Sequence, residues 1–271
     1  MTLPDVRPHP AKFSQPILDE LRRLTATLPD GARVLDPFAG VGLIHTLDRF
    51  DTVGVELEPE WASQHERTVV GDSRFLTARF DPESFDAVVT SCSYGNRMAD
   101  AYAGDPKGSR RVTYRIHLGR PLTEGSGAGL QWRDGRGGDA YRALHEQVWA
   151  ECFAVLKPGG KLFLNVSDHI RDGRVQHVVD WHFGALERAG FKVDAKHRVE
   201  TQRMRMGANG DKRVNAEAVL VAVKPEGGQQ TPVEVIEREL RRSGLAFDLA
   251  EDDAPGFVAA LEAAGYKIVR A

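Results

Sequence analysis

Cysteine is scarce. The 271-residue chain has two, Cys92 and Cys152, and their separation forms neither a metal-ligand spacing nor a disulfide framework. That excludes a small stapled secreted scaffold and points to a reducing compartment with no bound metal. Long apolar runs are missing too: no stretch approaches the roughly 18 residues a spanning helix needs. The first residues, Met1 to Asp5, lack the basic and then apolar pattern of an export signal. A cytoplasmic protein without a membrane partner is therefore expected. Charge of one sign is not in excess, since Lys+Arg 36 against Asp+Glu 39 leaves a formal net charge of -3. Oligomeric state is not written in any of these features.

What is present is an ordinary globular composition, with 41% hydrophobic and 28% charged residues, enough to bury a core without staples. The charge is unevenly placed. Residues 97 to 142 hold nine bases (Arg97, Lys107, Arg110, Arg111, Arg115, Arg120, Arg133, Arg136, Arg142) against five acids, whereas 225 to 271 hold nine acids against five bases. A polyanion could bind the first segment even though the whole-chain sum is slightly negative. Arg side chains solvating a long loop would give the same count.

Short β-branched runs alternate with helical patterns. Strands are predicted at 33–36, 52–56, 68–70, 86–90 and 161–166, and helices at 14–28, 43–49, 58–66, 140–156 and 174–189. Near-continuous apolar strands are covered on both faces, as in a parallel sheet. The pattern predicts an α/β, Rossmann-like, doubly wound fold. After residue 190 two longer strands, 191–200 and 214–223, flank a Gly/Asn/Asp turn, so the mostly parallel sheet should end in an antiparallel pair. The expected organisation is a main domain over 1–224, a Pro/Gly linker at 225–232 and a small helical appendage at 233–271. A Gly- and Arg-rich insertion at 95–138 interrupts the main domain, and loops that long are usually functional or disordered.

Ligands of such sheets bind outside the carboxyl ends of the strands. The first strand leaves through Asp36-Pro37-Phe38-Ala39-Gly40-Val41-Gly42, where Gly40 and Gly42 let the backbone approach a ligand. The dinucleotide fingerprint fails, because its third glycine falls at His45, which argues against a nicotinamide or flavin enzyme. Glu56, followed by Leu57, ends the second strand and is placed for ribose hydroxyls. Asp72, followed by Ser73, ends the third and is placed for an adenine amino group. A surface acid and a helix cap are the plainer readings of those two carboxylates.

The segment Val34 to Gly42 resembles the first motif of class I S-adenosylmethionine-dependent methyltransferases, in the D-P-F-x-G-x-G form of DNA amino-methyltransferases. Val155-Leu156-Lys157-Pro158-Gly159-Gly160-Lys161-Leu162 is similar to that superfamily's turn into the fifth strand, and His9 to Phe13 to the segment that closes over the cofactor. The resemblance covers roughly 9 to 224 and implies a seven-stranded sheet and S-adenosylmethionine as cofactor. It puts Phe38 and Gly40 at the methionine part, Glu56 at the ribose and Asp72 at the adenine. Thr90-Ser91-Cys92-Ser93-Tyr94 then stands where these enzymes carry [D/N/S]-P-P-[Y/F].

An exocyclic amine is a poor nucleophile, because its lone pair is delocalised into the ring. Acceptors must hold both hydrogens while nitrogen pyramidalises toward the methyl group. The resemblance assigns that role to Ser91 and the Cys92 carbonyl, and stacking on a flipped base to Tyr94. Both prolines are absent, so the carbonyl must be aimed by other contacts. The serine form of the motif favours cytosine N4 in DNA over adenine N6. Guanine N2 in RNA and a cofactor- and nucleic-acid-binding protein without catalysis stay open.

Cys92 has two further readings, a nucleophile toward C6 of a pyrimidine or an inert buried thiol. Asn96, Arg97, Arg110, Arg111, Arg115, Arg203 and Arg205 are candidate nucleic-acid contacts, with Tyr114 and Trp132 available for stacking. Asp168 and His169, just past the fifth strand, face the pocket rim on this reading, though a plain polar loop is the commoner meaning of such a pair.

Overall fold

A computed structural model describes residues 13–95, 118–132, 138–171, 173–201 and 214–226. The linker beyond 226, the appendage at 233–271, the turn holding Arg203 and Arg205, and the stretch of the insertion with Asn96, Arg97, Arg110, Arg111, Tyr114 and Arg115 lie outside these residues.

Seven strands form the central sheet: β1 (Arg33–Asp36), β2 (Asp51–Glu56), β3 (Thr68–Val70), β4 (Phe85–Ser91), β5 (Leu156–Val166), β8 (Lys192–Glu200) and β9 (Ala216–Val223). Their order is β3-β2-β1-β4-β5-β9-β8. The five strands from β3 to β5 run parallel, and β9 inserts antiparallel between β5 and β8. This is the expected doubly wound sheet with its antiparallel C-terminal pair. Chain order reverses between β1 and β4, so the crevice outside their carboxyl ends is where a ligand belongs.

Neighbouring apolar residues face opposite ways along a strand. Val34, Ala87, Val89, Phe163 and Val219 pack with Ile17 and Leu21 of α1 (Gln15–Thr25). Leu35, Val88, Leu162, Leu164 and Leu220 pack on the other face with α3 (Asp139–Val155) and α4 (Val178–Arg188). Helices on both sides explain why these strands are apolar at every position rather than at alternate ones.

Four expected helices are shorter; 14–28 ends at Thr25 as α1, and the other three depart further. The stretch 43–49 makes only a 3-10 turn, Leu43–Thr46. His45 is buried there, with Nδ1 at 2.8 Å from Thr52 Oγ1 and Nε2 at 2.9 Å from Thr68 Oγ1. Its ring stacks on His65 at 3.8 Å, and those contacts tie the chain to the sheet where a longer helix would leave it. The same stacking ends α2 at Pro59–Ala62 instead of 66, because Thr68 N–H donates to the His65 carbonyl and β3 begins at once. Residues 174–176 are not helical: β6 (His169–Arg171) and β7 (Arg174–Gln176) pair as a small antiparallel ribbon around Gly173, whose φ of 74° suits a tight turn. Conversely, β5 starts at Leu156, five residues early, because Leu156 already pairs with Phe85.

Candidate active site

The carboxyl ends of β1, β2, β3 and β4 open into a pocket of about 360 Å³. Asp36, Phe38, Gly40, Glu56, Leu57, Asp72, Ser73, Ser91, Cys92 and Tyr94 all line it. Gly42 stands just behind, at φ 78°, where an added Cβ would come within 2.7 Å of the His45 ring. Phe13 lines the pocket as well, while His9 to Lys12 lie outside the described residues.

Asp36 is buried and joins two strand ends, accepting the Phe38 N–H at 3.0 Å and the Thr90 hydroxyl at 2.6 Å. Burial pushes its carboxyl up to about 7, against the lowering effect of those two donors. Glu56 accepts the Gly40 N–H through Oε2 at 2.9 Å and the Glu58 N–H through Oε1 at 2.8 Å. Burial raises it, too, to about 7. A carboxylate has about four lone-pair positions, so two internal donors leave Glu56 capacity for a ligand. Asp72 serves two roles, since it caps the turn Ser73–Ala78 through Arg74 N–H and lines the pocket. Burial raises its carboxyl, but the Arg74 guanidinium at 2.6 Å outweighs this and holds it below the usual range. Ser73 donates to the Pro37 carbonyl.

At the other end of the pocket the Tyr94 hydroxyl donates to Glu217 Oε2 at 2.7 Å and also lies 2.9 Å from Asn165 Oδ1 and 3.3 Å from Ser91 Oγ. Burial and the Glu217 carboxylate keep this phenol protonated, far above its ordinary range. Cys92 points away from solvent, and burial pushes its thiol up to about 12. A thiol held protonated at neutral pH is a poor nucleophile, which favours the inert reading of Cys92.

Sequence reasoning missed the pocket's outer wall. Residues 118–132 fold back over it: Leu118, Leu122 and Ala128 pack on buried Trp61. Arg120 pairs with Glu58 at 2.7 Å and with Glu60, and Thr123 donates to Glu58 through both N–H and hydroxyl at 2.9 Å. Further along, the Ser93 hydroxyl donates to the Gly127 carbonyl at 2.8 Å, and Trp132 N–H to Gly95 O at 3.1 Å. This part of the insertion forms pocket wall.

Three expectations are corrected. Trp132 is 3% exposed, packed against Tyr141 and Trp181, so it offers no face to a base. Arg120 and Arg142, counted in the positive zone, are engaged within the fold, the latter with Asp139 and over the Trp132 ring. Asp168 accepts the Val179 N–H at the start of α4, and His169 belongs to β6; neither lines the pocket. Only a contact between distant segments could have revealed these placements.

No protein-family model and no curated protein matches the sequence. Solved structures of similar fold include TrmN from Thermus thermophilus, 18% identical, with a TM-score of 0.44 over 77% of this chain and 48% of that one. This chain thus spans about half the length of TrmN. A SAM-dependent methyltransferase from Methanosarcina mazei is 14% identical over 76% of this chain and 98% of its own, with a TM-score of 0.48. The [4+2]-cyclase SpnF is 15% identical over 79% and 83%, with a TM-score of 0.49. Such distant likeness assigns no residue a role, so function rests on the site itself.

Proposed function

We propose that the chain is an S-adenosylmethionine-dependent methyltransferase acting on an exocyclic amine of a base in DNA, with cytosine N4 as the favoured target. One observation carries the reading: the turn after β1, the acids ending β2 and β3, and Ser91 to Tyr94, which are far apart in sequence, line a single pocket. The residues fit the cofactor. Glu56 has acceptor capacity for ribose hydroxyls, Phe38 and Gly40 line the same pocket, and Asp72 lines it at the β3 end, where both its oxygens already accept from Arg74, so an adenine amino group would share them with that guanidinium.

When bound, the cofactor supplies an electrophilic methyl group on a sulfonium. The protein's own part is positioning and electrostatics. Ser91 Oγ and the Cys92 carbonyl accept the amine hydrogens, which localises the nitrogen lone pair. Tyr94, with its hydroxyl fixed by Asn165 and Glu217, presents its ring to a base taken out of the stack. Segment 118–130 shields the reacting atoms from water. Arg97, Arg110, Arg111, Arg115, Arg203 and Arg205 are assigned to phosphate contacts, and the partition into a 1–224 catalytic domain with an appendage at 233–271 belongs to the same reading.

The test is incubation with methyl-labelled S-adenosylmethionine and unmethylated genomic DNA, then digestion to nucleosides and mass spectrometry. Label on N4-methylcytosine is the expected result, and label on N6-methyladenine would keep the mechanism and change the base. Label in structured RNA alone would move the substrate class. Cofactor binding without transfer to any nucleic acid would leave a binding protein.

A further inference from the structure

Behind the Ser91 to Tyr94 loop lies a fully buried polar cluster that the site has not used. Tyr141, His145 and Trp149 recur on one face of α3, and His182 meets them from α4; all four are 0% exposed. The Trp149 indole N–H donates to His182 Nδ1 at 3.1 Å. Indole is a donor only, so Nδ1 is the acceptor and the ring proton sits on Nε2. His182 Nε2–H lies 2.8 Å from the Tyr141 hydroxyl oxygen, and that hydroxyl donates to the Ser93 carbonyl at 2.6 Å. Donors and acceptors alternate along the chain, and Cys92 Sγ lies beside it as a weaker partner, 3.5 Å from His182 Nε2 and 3.9 Å from the Tyr141 hydroxyl.

We propose that Trp149, His182 and Tyr141 form a positioning relay that fixes the Ser91 to Tyr94 loop, supplying through side chains the rigidity that prolines at 92 and 93 would supply through fixed φ. The inference rests on the amine-methyltransferase reading for its kinetic consequence, though not for its geometry. Tyr141 on α3 holds the Ser93 carbonyl, and the Gly127 carbonyl holds the Ser93 hydroxyl. With both polar groups of residue 93 held, the peptide after Cys92 is restrained in its orientation. The relay also touches the cofactor end, because Phe38 packs edge-on against Trp149 at 6.1 Å and lies 5.7 Å from His145.

A metal ion is the competing occupant. Cys92 Sγ, a His145 nitrogen and a His182 nitrogen lie within 4.8 Å of one another. His145 Nδ1 donates to the Tyr141 carbonyl, and Nε2 is buried without a hydrogen-bond partner. Metal ligation through His182 Nε2 needs that nitrogen deprotonated, which would turn Nδ1–H against the Trp149 N–H. Two donors facing each other in a dry core is costly, so the relay tautomer is favoured over the ligand tautomer.

The experiment uses the full chain with Tyr141→Phe, which removes one hydroxyl and keeps the ring, and Trp149→Phe as a second variant. Three readouts are taken: hydrogen exchange of peptides covering 91–95, the 15N tautomer of His182 with and without added Zn2+, and steady-state methylation. Faster exchange at 91–95 is expected, with a cofactor Kd within about twofold and kcat lower by about tenfold or more at little-changed KM, the mark of misplaced reacting groups. His182 should stay an Nε2–H tautomer with Zn2+ present, and Trp149→Phe should loosen that preference. Wild-type exchange and kcat in Tyr141→Phe would overturn the relay, and so would stoichiometric Zn2+ binding that shifts His145 and His182 nitrogens. If wild type methylates nothing, the functional reading fails, while exchange and tautomer still decide the relay.

Discussion

Glu56 Oε2 accepts the Gly40 N–H at 2.9 Å, so the acid that ends β2 holds the glycine turn that ends β1. On the proposed reading, the cofactor contact and the shape of the loop around it both depend on one carboxyl group. Glu56→Ala should then weaken S-adenosylmethionine binding by more than the loss of ribose contacts alone, by about 1–3 kcal/mol for a buried acceptor serving two backbone donors. Glu56→Gln, which keeps one carbonyl oxygen, should lose less. Isothermal titration of both variants checks this; equal losses would separate the loop from the contact.

Asp36 gives a pH signature with a definite sign. Its folded carboxyl titrates near 7 against an ordinary 3.8, so between those values the folded state holds a proton that the unfolded state has lost. Stability from this group is therefore greatest at low pH and falls as pH rises toward 7. Buried neutral His45 and His145, lowered to about 4 by burial first, act in the opposite sense, losing stability as pH falls below the ordinary histidine range. The two trends separate by difference: Asp36→Asn should gain on wild type in melting temperature between pH 5 and pH 8. Parallel pH curves would show that Asp36 keeps its charge when buried.

Arg120 neutralises Glu58, whose side chain is 1% exposed. Arg120→Ala leaves that carboxylate buried without its cation and should cost about 1–3 kcal/mol, after discounting for the partly exposed guanidinium. Arg120→Lys should rescue little, because a single ammonium cannot span Glu58 and Glu60 as a planar fork does. Cofactor affinity should fall along with stability, since segment 118–130 would lose its hold on α2. Calorimetric unfolding and cofactor titration on the same samples read both.

Cys92 should resist thiol reagents in the native protein and react on unfolding, as should Cys152, whose burial also raises its thiol, to well above neutrality. Cys92→Ala preserves the backbone carbonyl, so methyl transfer should persist, reduced by no more than about tenfold through repacking. Complete loss of transfer in Cys92→Ala, together with wild-type label on pyrimidine C5, would make the sulfur a nucleophile after all.

Much of this was readable before any coordinates. The positions of Asp36, Glu56, Asp72 and Ser91 follow from apolar strands ending in polar residues, because an α/β sheet collects its strand ends on one edge. Lengths of local elements were less readable: a helix at 43–49 has the right periodicity, but His45 finds its partners on Thr52 and Thr68 instead. Tyr141, His145 and Trp149 fall at helical spacing within the expected helix 140–156, but nothing local says that their polar atoms meet His182 from another helix. The wall at 118–132 was hidden for the same reason, since Leu118, Leu122 and Arg120 take their meaning from Trp61, Glu58 and Glu60, 57 to 62 residues earlier in the chain.

That wall is fastened at both ends of the pocket, to Glu58 beside Glu56 and to Ser93 and Gly95 at the end of β4. Two ligands entering the pocket would then share one boundary. Whatever the first does to order or displace residues 120 to 128 is felt by the second, and linkage makes the effect mutual. On that geometry the two substrates of a transfer reaction should not bind independently: each should change the other's dissociation constant by the same factor.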